Sequence, residues 1–149
     1  MRGKYHLAIV LIVALAVMWL ASACSSDATD SNSIQDILWQ WTSVTNQTTK
    51  ETTSVPDPES YTIAFKADGT IEGKADCNNF GGTYSQENGF SITIGAITEA
   101  FCGEESLDQQ YLQLLGSIAA GGPDGQGNLA LETPGGEQRM LFENGGSVK

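Results

Sequence analysis

Three cysteines, one histidine and 18 acidic side chains are the groups in this 149-residue chain that could do chemistry. The stretch KADCNNFGGTY, residues 74–84, gathers a thiol (Cys77), two amides (Asn78 and Asn79) and a glycine pair (Gly81 and Gly82) around Phe80. Metal ligation, nucleophilic attack, phosphate binding or a structural corner could each use such a set. A metal wants several ligands at close spacing, whereas Cys24, Cys77 and Cys102 are far apart and the single histidine is His6. A phosphate cradle needs glycines that lead into a helix, usually with a lysine; these lead into Thr83, Tyr84 and strand-like sequence. A reactive thiol needs a cationic neighbour, and Lys74 alone is a thin supply. The architectural reading is the strongest. Asn78, Asn79, Gly81 and Gly82 tolerate positive φ and permit a bulge or tight corner between strands, with Phe80 as its anchor in the core.

The N-terminus bears on the compartment. Arg2 and Lys4 precede the apolar run LAIVLIVALAVMWL and then ASAC, residues 21–24. A basic start, an apolar centre and a small-residue exit form an export signal. Because it ends on cysteine, the segment resembles a bacterial lipoprotein signal, in which residues 1–23 are removed and Cys24 becomes the lipid-bearing first residue. Ala21, Ser22 and Ala23 also fit an ordinary cleavage site, and an uncut span of about 17 residues is at the short limit for a membrane helix. All three routes place the body in the cell envelope, outside the cytoplasm, on the periplasmic or cell-surface side. Residues 25–33, SSDATDSNS, have the composition of a solvated tether, so that residues 24–33 join the lipid to the domain.

Removing the signal takes Arg2 and Lys4 with it, leaving five basic residues against 18 acids, a charge near −13. That argues against nucleic acid, which needs clustered Lys and Arg, and against lying flat on anionic lipid. His6 is lost too, so histidine-based nucleophilic arrangements and His-ligated metal sites are excluded. If Cys24 is acylated, Cys77 and Cys102 remain as one pair in an oxidising compartment. A disulfide between them would close a loop of roughly 25 residues and contribute about 3–4 kcal/mol.

These groups must be positioned by a body expected over residues 34–143, with 144–149 as a flexible tail. Residues 34–44 bring Trp39 and Trp41 to one side of a strand. Residues 45–60, with Pro56 and Pro58, suggest a loop. Tyr61, Ile63 and Phe65 share a strand face, and Asp68-Gly69 supplies a hairpin turn into residues 70–76. Phe90, Ile92 and Ile94 alternate after the turn at 87–89, and residues 129–131 and 139–142 form a last hairpin around Pro134. A helix is expected from Glu104 to about Ala119, with Leu107, Tyr111, Leu114, Leu115 and Ile118 as one apolar stripe. Glu104, Glu105 and Asp108 would lie in its first turns, and Gly121-Gly122-Pro123 would stop it. The predicted class is α+β: a single strongly bent antiparallel sheet, a partial barrel, closed by one helix.

Residues 38–142 resemble the META domain, the HslJ-like family of small secreted or lipid-anchored bacterial proteins. The resemblance rests on several elements in order. They are Trp39 or Trp41, the Asp68-Gly69 strand end, Gly73 to Cys77-Asn78, Gly82-Thr83-Tyr84, Thr98 to Cys102, the helix, and the last two strands. The chain departs from the family pattern at Asp76, where glycine is common, and at Ala100-Phe101, where methionine is common. The resemblance implies a non-catalytic, cofactor-free envelope module associated with stress response, binding or chaperone-like. Its expected partners are the membrane, through lipid on Cys24, and an envelope protein or apolar ligand, with the protein itself a monomer. Trp39, Trp41, Tyr61 and Phe65 are candidates to line a binding groove, against the simpler reading that these rings fill the core. A carboxylate-based hydrolase using Glu99, Glu104 or Glu105 is one alternative. A calcium-binding acidic surface is another, although no EF-hand loop is present and residues 123–128 read better as a turn.

Overall fold

A computed structural model describes residues 33–148; the expected signal, Cys24 and nearly all of the expected tether lie outside the described residues. The strands are β1 (Ile37–Asn46), β2 (Thr52–Ser54), β3 (Tyr61–Phe65), β4 (Thr70–Ala75), β5 (Asn78–Ser85), β6 (Ser91–Ile97), β7 (Ala120–Pro123), β8 (Leu129–Glu132) and β9 (Gln138–Ser147). Among the described residues one α-helix, α1 (Asp108–Leu115), lies between β6 and β7 in sequence. All the strand pairings are antiparallel, in the order β6-β5-β4-β3-β1-β9-β8-β7, with β2 added to β1. The sheet curls into a half-barrel, and its two edges meet where the Phe90 N–H donates to the Ala119 carbonyl at 3.0 Å.

Hairpin chemistry builds most of this order. At Asp68-Gly69, Gly69 takes φ +84°, and the Asp68 carboxylate accepts hydrogen bonds from the Thr70 N–H and hydroxyl. Strand β1 illustrates how the chain bends. Trp41 pairs with Phe142 and Ser43 with Leu141, so Thr42 is an extra residue, a β-bulge, and its hydroxyl donates to the Leu141 carbonyl. A bulge shifts the inward parity by one: Trp39 and Trp41 face in before it, Val44 after it.

The concave face is filled by rings. Tyr111 of α1 stacks on Trp41 with centroids 5.1 Å apart, and Tyr61 meets both edge-on at 5.8 and 5.9 Å. Phe80 and Phe142 complete the collar around Tyr111 at 6.1 and 6.3 Å. Offset and edge-on pairs of this kind add about 0.5–1.5 kcal/mol each beyond the area they bury. A second cluster joins Phe65, Tyr84 and Phe90.

Four expectations need correction. The helix spans 108–115, not 104–119, because Gly103 (φ +105°) and the tethered segment before it keep residues 98–107 out of helical form. At its other end Ser117 and Ile118 bond back only three residues, and the Ala119 N–H then donates to Glu132. Gly121-Gly122-Pro123 therefore belongs to strand β7. There a Cβ on Gly121 would come within 2.6 Å of Leu131 and 2.7 Å of the Ala130 carbonyl, so the close pairing needs glycine. The loop at 45–60 contains β2, which is exposed, and the buried Val55. Finally, residues 144–147 are no loose tail: β9 runs to Ser147 against β1, and the Val148 N–H donates to Asp36.

Candidate functional site

The corner around Cys77 is organised differently from the sequence expectation. The tight turn between β4 and β5 is made by Asp76 (φ +59°) and Cys77, while Asn78, Asn79, Gly81 and Gly82 all lie inside β5 with ordinary φ. Asp76 occupies a backbone region that glycine enters most easily. It is held there by its N–H donating to Ser60 at 2.7 Å and by the Tyr61 hydroxyl donating to its carboxylate at 3.3 Å. The glycine pair lies at a bulge, as its sequence allows, where Phe80 pairs with Ile97 but Gly82 with Ile94. Gly82 is needed there for close approach rather than for positive φ, since a Cβ on it would clash with the Thr93 carbonyl.

Cys77 and Cys102 form a disulfide with Cα atoms 5.6 Å apart. Asn78, only 3% exposed, is the polar hub behind it. Its Oδ1 accepts from the Ala100 N–H at 2.8 Å and the Thr98 hydroxyl at 3.2 Å. Its Nδ2 donates to the Ala100 carbonyl at 3.0 Å and toward Cys102 Sγ (3.3 Å) and Asp108 Oδ2 (3.4 Å). Thr98 adds two further bonds to Asn79, one through its hydroxyl and one through its N–H. Satisfying a buried amide in this way makes the segment rigid, because each broken bond would strand a buried polar group. Tyr61 accepts the Leu107 N–H at 3.0 Å and so fixes the approach to α1.

Behind this staple lies a groove of ≈ 680 Å³ between the 97–106 segment and α1. It continues into a shallower depression between β6 and α1 through the shared residues Ile97 and Leu112. The two large apolar side chains most exposed among the described residues, Phe101 at 85% and Ile97 at 39%, both line it. Glu99, Glu104 and Asp108 supply its charge, and among the described residues no lysine or arginine lines it.

The rings proposed from sequence as a binding surface are elsewhere. Trp39, Trp41, Tyr61 and Phe65 are 2%, 0%, 5% and 0% exposed, so they form the core and line no groove. Their alternation is that of any inward strand face, and it carries no information on whether that face stays open. Phe101 lies in no periodic element, so no pattern marks it as a site residue; its signals are a bulky ring beside a cysteine and its place in the Ala100-Phe101 departure from the family pattern. Of the three glutamates considered for catalysis, Glu99 and Glu104 share the groove, while Glu105 is exposed outside it. Among the described residues no three or more His, Cys, Asp or Glu are arranged so that they could hold a metal ion. In the 123–128 turn, Asp124 accepts from the Asn128 side chain and from the N–H groups of Gln126 and Asn128, which lower its carboxyl from the ordinary value.

A half-barrel of antiparallel strands with one closing helix and one disulfide at the corner defines a small α+β domain. The sequence matches the META domain over residues 32–145, and the chain belongs to that family. Among solved structures, the fold is similar to a crystal structure of a duf4847 family protein from Bacteroides vulgatus (TM-score 0.59, 14% identity), covering 78% of this chain and 96% of that one. A protein solved by NMR aligns with a TM-score of 0.49 at 24% identity, over 74% of this chain and 90% of that one. Comparison with curated proteins finds no significant match.

Proposed function

We propose that the chain is a non-catalytic module of the bacterial cell envelope, lipid-anchored at Cys24, that binds a partner protein in a chaperone-like role during stress or envelope homeostasis. The observation that carries this reading is Phe101. A phenylalanine ring left 85% exposed is held at the mouth of a groove by a segment that Asn78 and the disulfide make rigid. Large exposed rings in rigid concave surroundings are the anchors that protein interfaces use. Membership of the META family and the signal-like N-terminus support the envelope setting.

The test is a photo-cross-linking phenylalanine analogue at position 101 in cells of the native organism, followed by mass spectrometry. One reproducible envelope protein, absent when the analogue is placed at exposed Glu87 instead, is the expected result. A protein that stays uncross-linked, or gives the same products from both positions, refutes the reading.

A further inference from the structure

We infer that the groove beside β6 takes an extended polypeptide segment, apolar at alternate positions and basic between them, which adds as a strand to the free edge of β6. The inference rests on the binding reading above and specifies its partner. Strand β6 is last in the sheet order, so one side of its backbone meets no other strand among the described residues. Its sequence, SITIGAI, is β-branched and contains neither a charge nor a proline, the devices that normally blunt an edge. The opposite edge, β7, is only four residues long and carries both Gly121-Gly122 and Pro123. The two edges of the same sheet therefore differ: β7 is guarded, whereas β6 is open between the Phe90–Ala119 hydrogen bond at its start and the bulge at Gly95-Ala96.

The surroundings of β6 match an incoming strand. Its seven residues offer about 23 Å of edge at ~3.3 Å per residue. The second wall of the groove is α1, with Leu112 facing Ile94 and Ile97 across the space, and Phe101 stands at the far end. Backbone pairing would supply affinity and alternate side chains the selectivity. Glu99, Glu104 and Asp108, with no lining cation among the described residues, select basic residues on the strand that enters. The same charges disfavour the chain's own residues 25–33, which carry Asp27 and Asp30 and no cation.

The experiment uses the full chain in nanodiscs of zwitterionic lipid and a fluorescein-labelled nonapeptide of alternating lysine and valine. Saturable binding by anisotropy, with new hydrogen-exchange protection confined to residues 91–97, is the expected outcome. Replacing lysine by glutamate in the peptide, or Phe101→Ser in the protein, should weaken binding about tenfold or more. N-methylation of alternate peptide nitrogens should abolish it. Raising salt to roughly 1 M, where the Debye length is about 3 Å, should also weaken it. Equal binding of the N-methylated peptide, protection outside β6, or no binding overturns the inference. So does a concentration-dependent dimer in the peptide-free protein that protects the same residues, which would make a second copy the occupant. If the peptide fails while the cross-linker at position 101 still captures an envelope protein, strand addition is wrong and the binding reading stands. If both fail, both are wrong.

Discussion

The side-chain amide of Asn78 pairs with the backbone of Ala100 through both of its ends, accepting the Ala100 N–H at 2.8 Å and donating to its carbonyl at 3.0 Å. One side chain thereby does for the 98–102 segment what a neighbouring strand would do, and it does so from a buried position. The groove wall carrying Phe101 is built on this pair and on the disulfide beside it.

Replacing Asn78 tests that relationship. Asn78→Ala removes both bonds and should cost about 1–3 kcal/mol in urea denaturation, with faster exchange of the Ala100 amide. Asn78→Asp should be worse near neutral pH, because the new carboxylate would face the Ala100 carbonyl and the Asp108 carboxylate. Burial and that neighbour raise its folded pKa, so the folded state binds the extra proton more tightly and the deficit should shrink as pH falls. Equal, pH-independent losses for both variants would mean that the amide is merely filling space.

The Cys77–Cys102 disulfide closes a loop with a sequence separation of 25. Changing both cysteines to alanine should lower stability by about 3–4 kcal/mol. The domain should remain folded, since the aromatic core does not depend on the bridge, and the loss should appear mainly in the unfolding midpoint. A change under about 1 kcal/mol would show that Asn78 and Thr98 hold the segment unaided.

Two tyrosines should respond in opposite ways to losing their hydroxyls. Tyr61 accepts the Leu107 N–H and donates to Asp76, so Tyr61→Phe should cost about 1–2 kcal/mol. The Tyr111 hydroxyl is buried, with no hydrogen-bond partner among the described residues. Tyr111→Phe should be neutral or stabilising by about 1 kcal/mol in thermal denaturation.

Tyr111 also makes the protein sensitive to alkali. Burial pushes its phenol well above the ordinary value of 10.0. The unfolded chain releases this proton near that value while the folded chain keeps it, so stability falls as pH rises beyond it. Tyr111→Phe should remove this part of the alkaline loss, seen by comparing unfolding midpoints across that range. On the acid side, the Thr70 hydroxyl and N–H hold the Asp68 carboxyl below its ordinary 3.8. Its contribution is present above that value and lost as pH falls through the lower folded pKa. Asp68→Asn should flatten that limb of the stability curve.

Much of the sheet was legible because strand signals are local. Asp68-Gly69 marks its hairpin whatever surrounds it, and the inward sets Trp39-Trp41 and Tyr61-Ile63-Phe65 follow from a period of two. The bulge at Thr42 was not legible, since the same ten residues could form a straight strand. The curl of the sheet against β9 is what selects the irregular pairing. The helix was over-extended for a related reason: its apolar stripe continues from Leu107 to Ile118, but tertiary bonds from Tyr61 and Glu132 capture both ends before the helix reaches them.

By itself, then, the sequence determined the antiparallel class, the hairpins and the family, because these depend on residue types and short spacings, and it offered Cys77 and Cys102 as the pair for the corner. Only the tertiary structure decided which rings are sealed inside and which one is left in water. Exposure of Phe101 and burial of Trp41 are set by where distant strands and the helix come to rest, and no local pattern encodes that distance. The open edge of β6 has the same origin: a strand is an edge only relative to the sheet that ends with it.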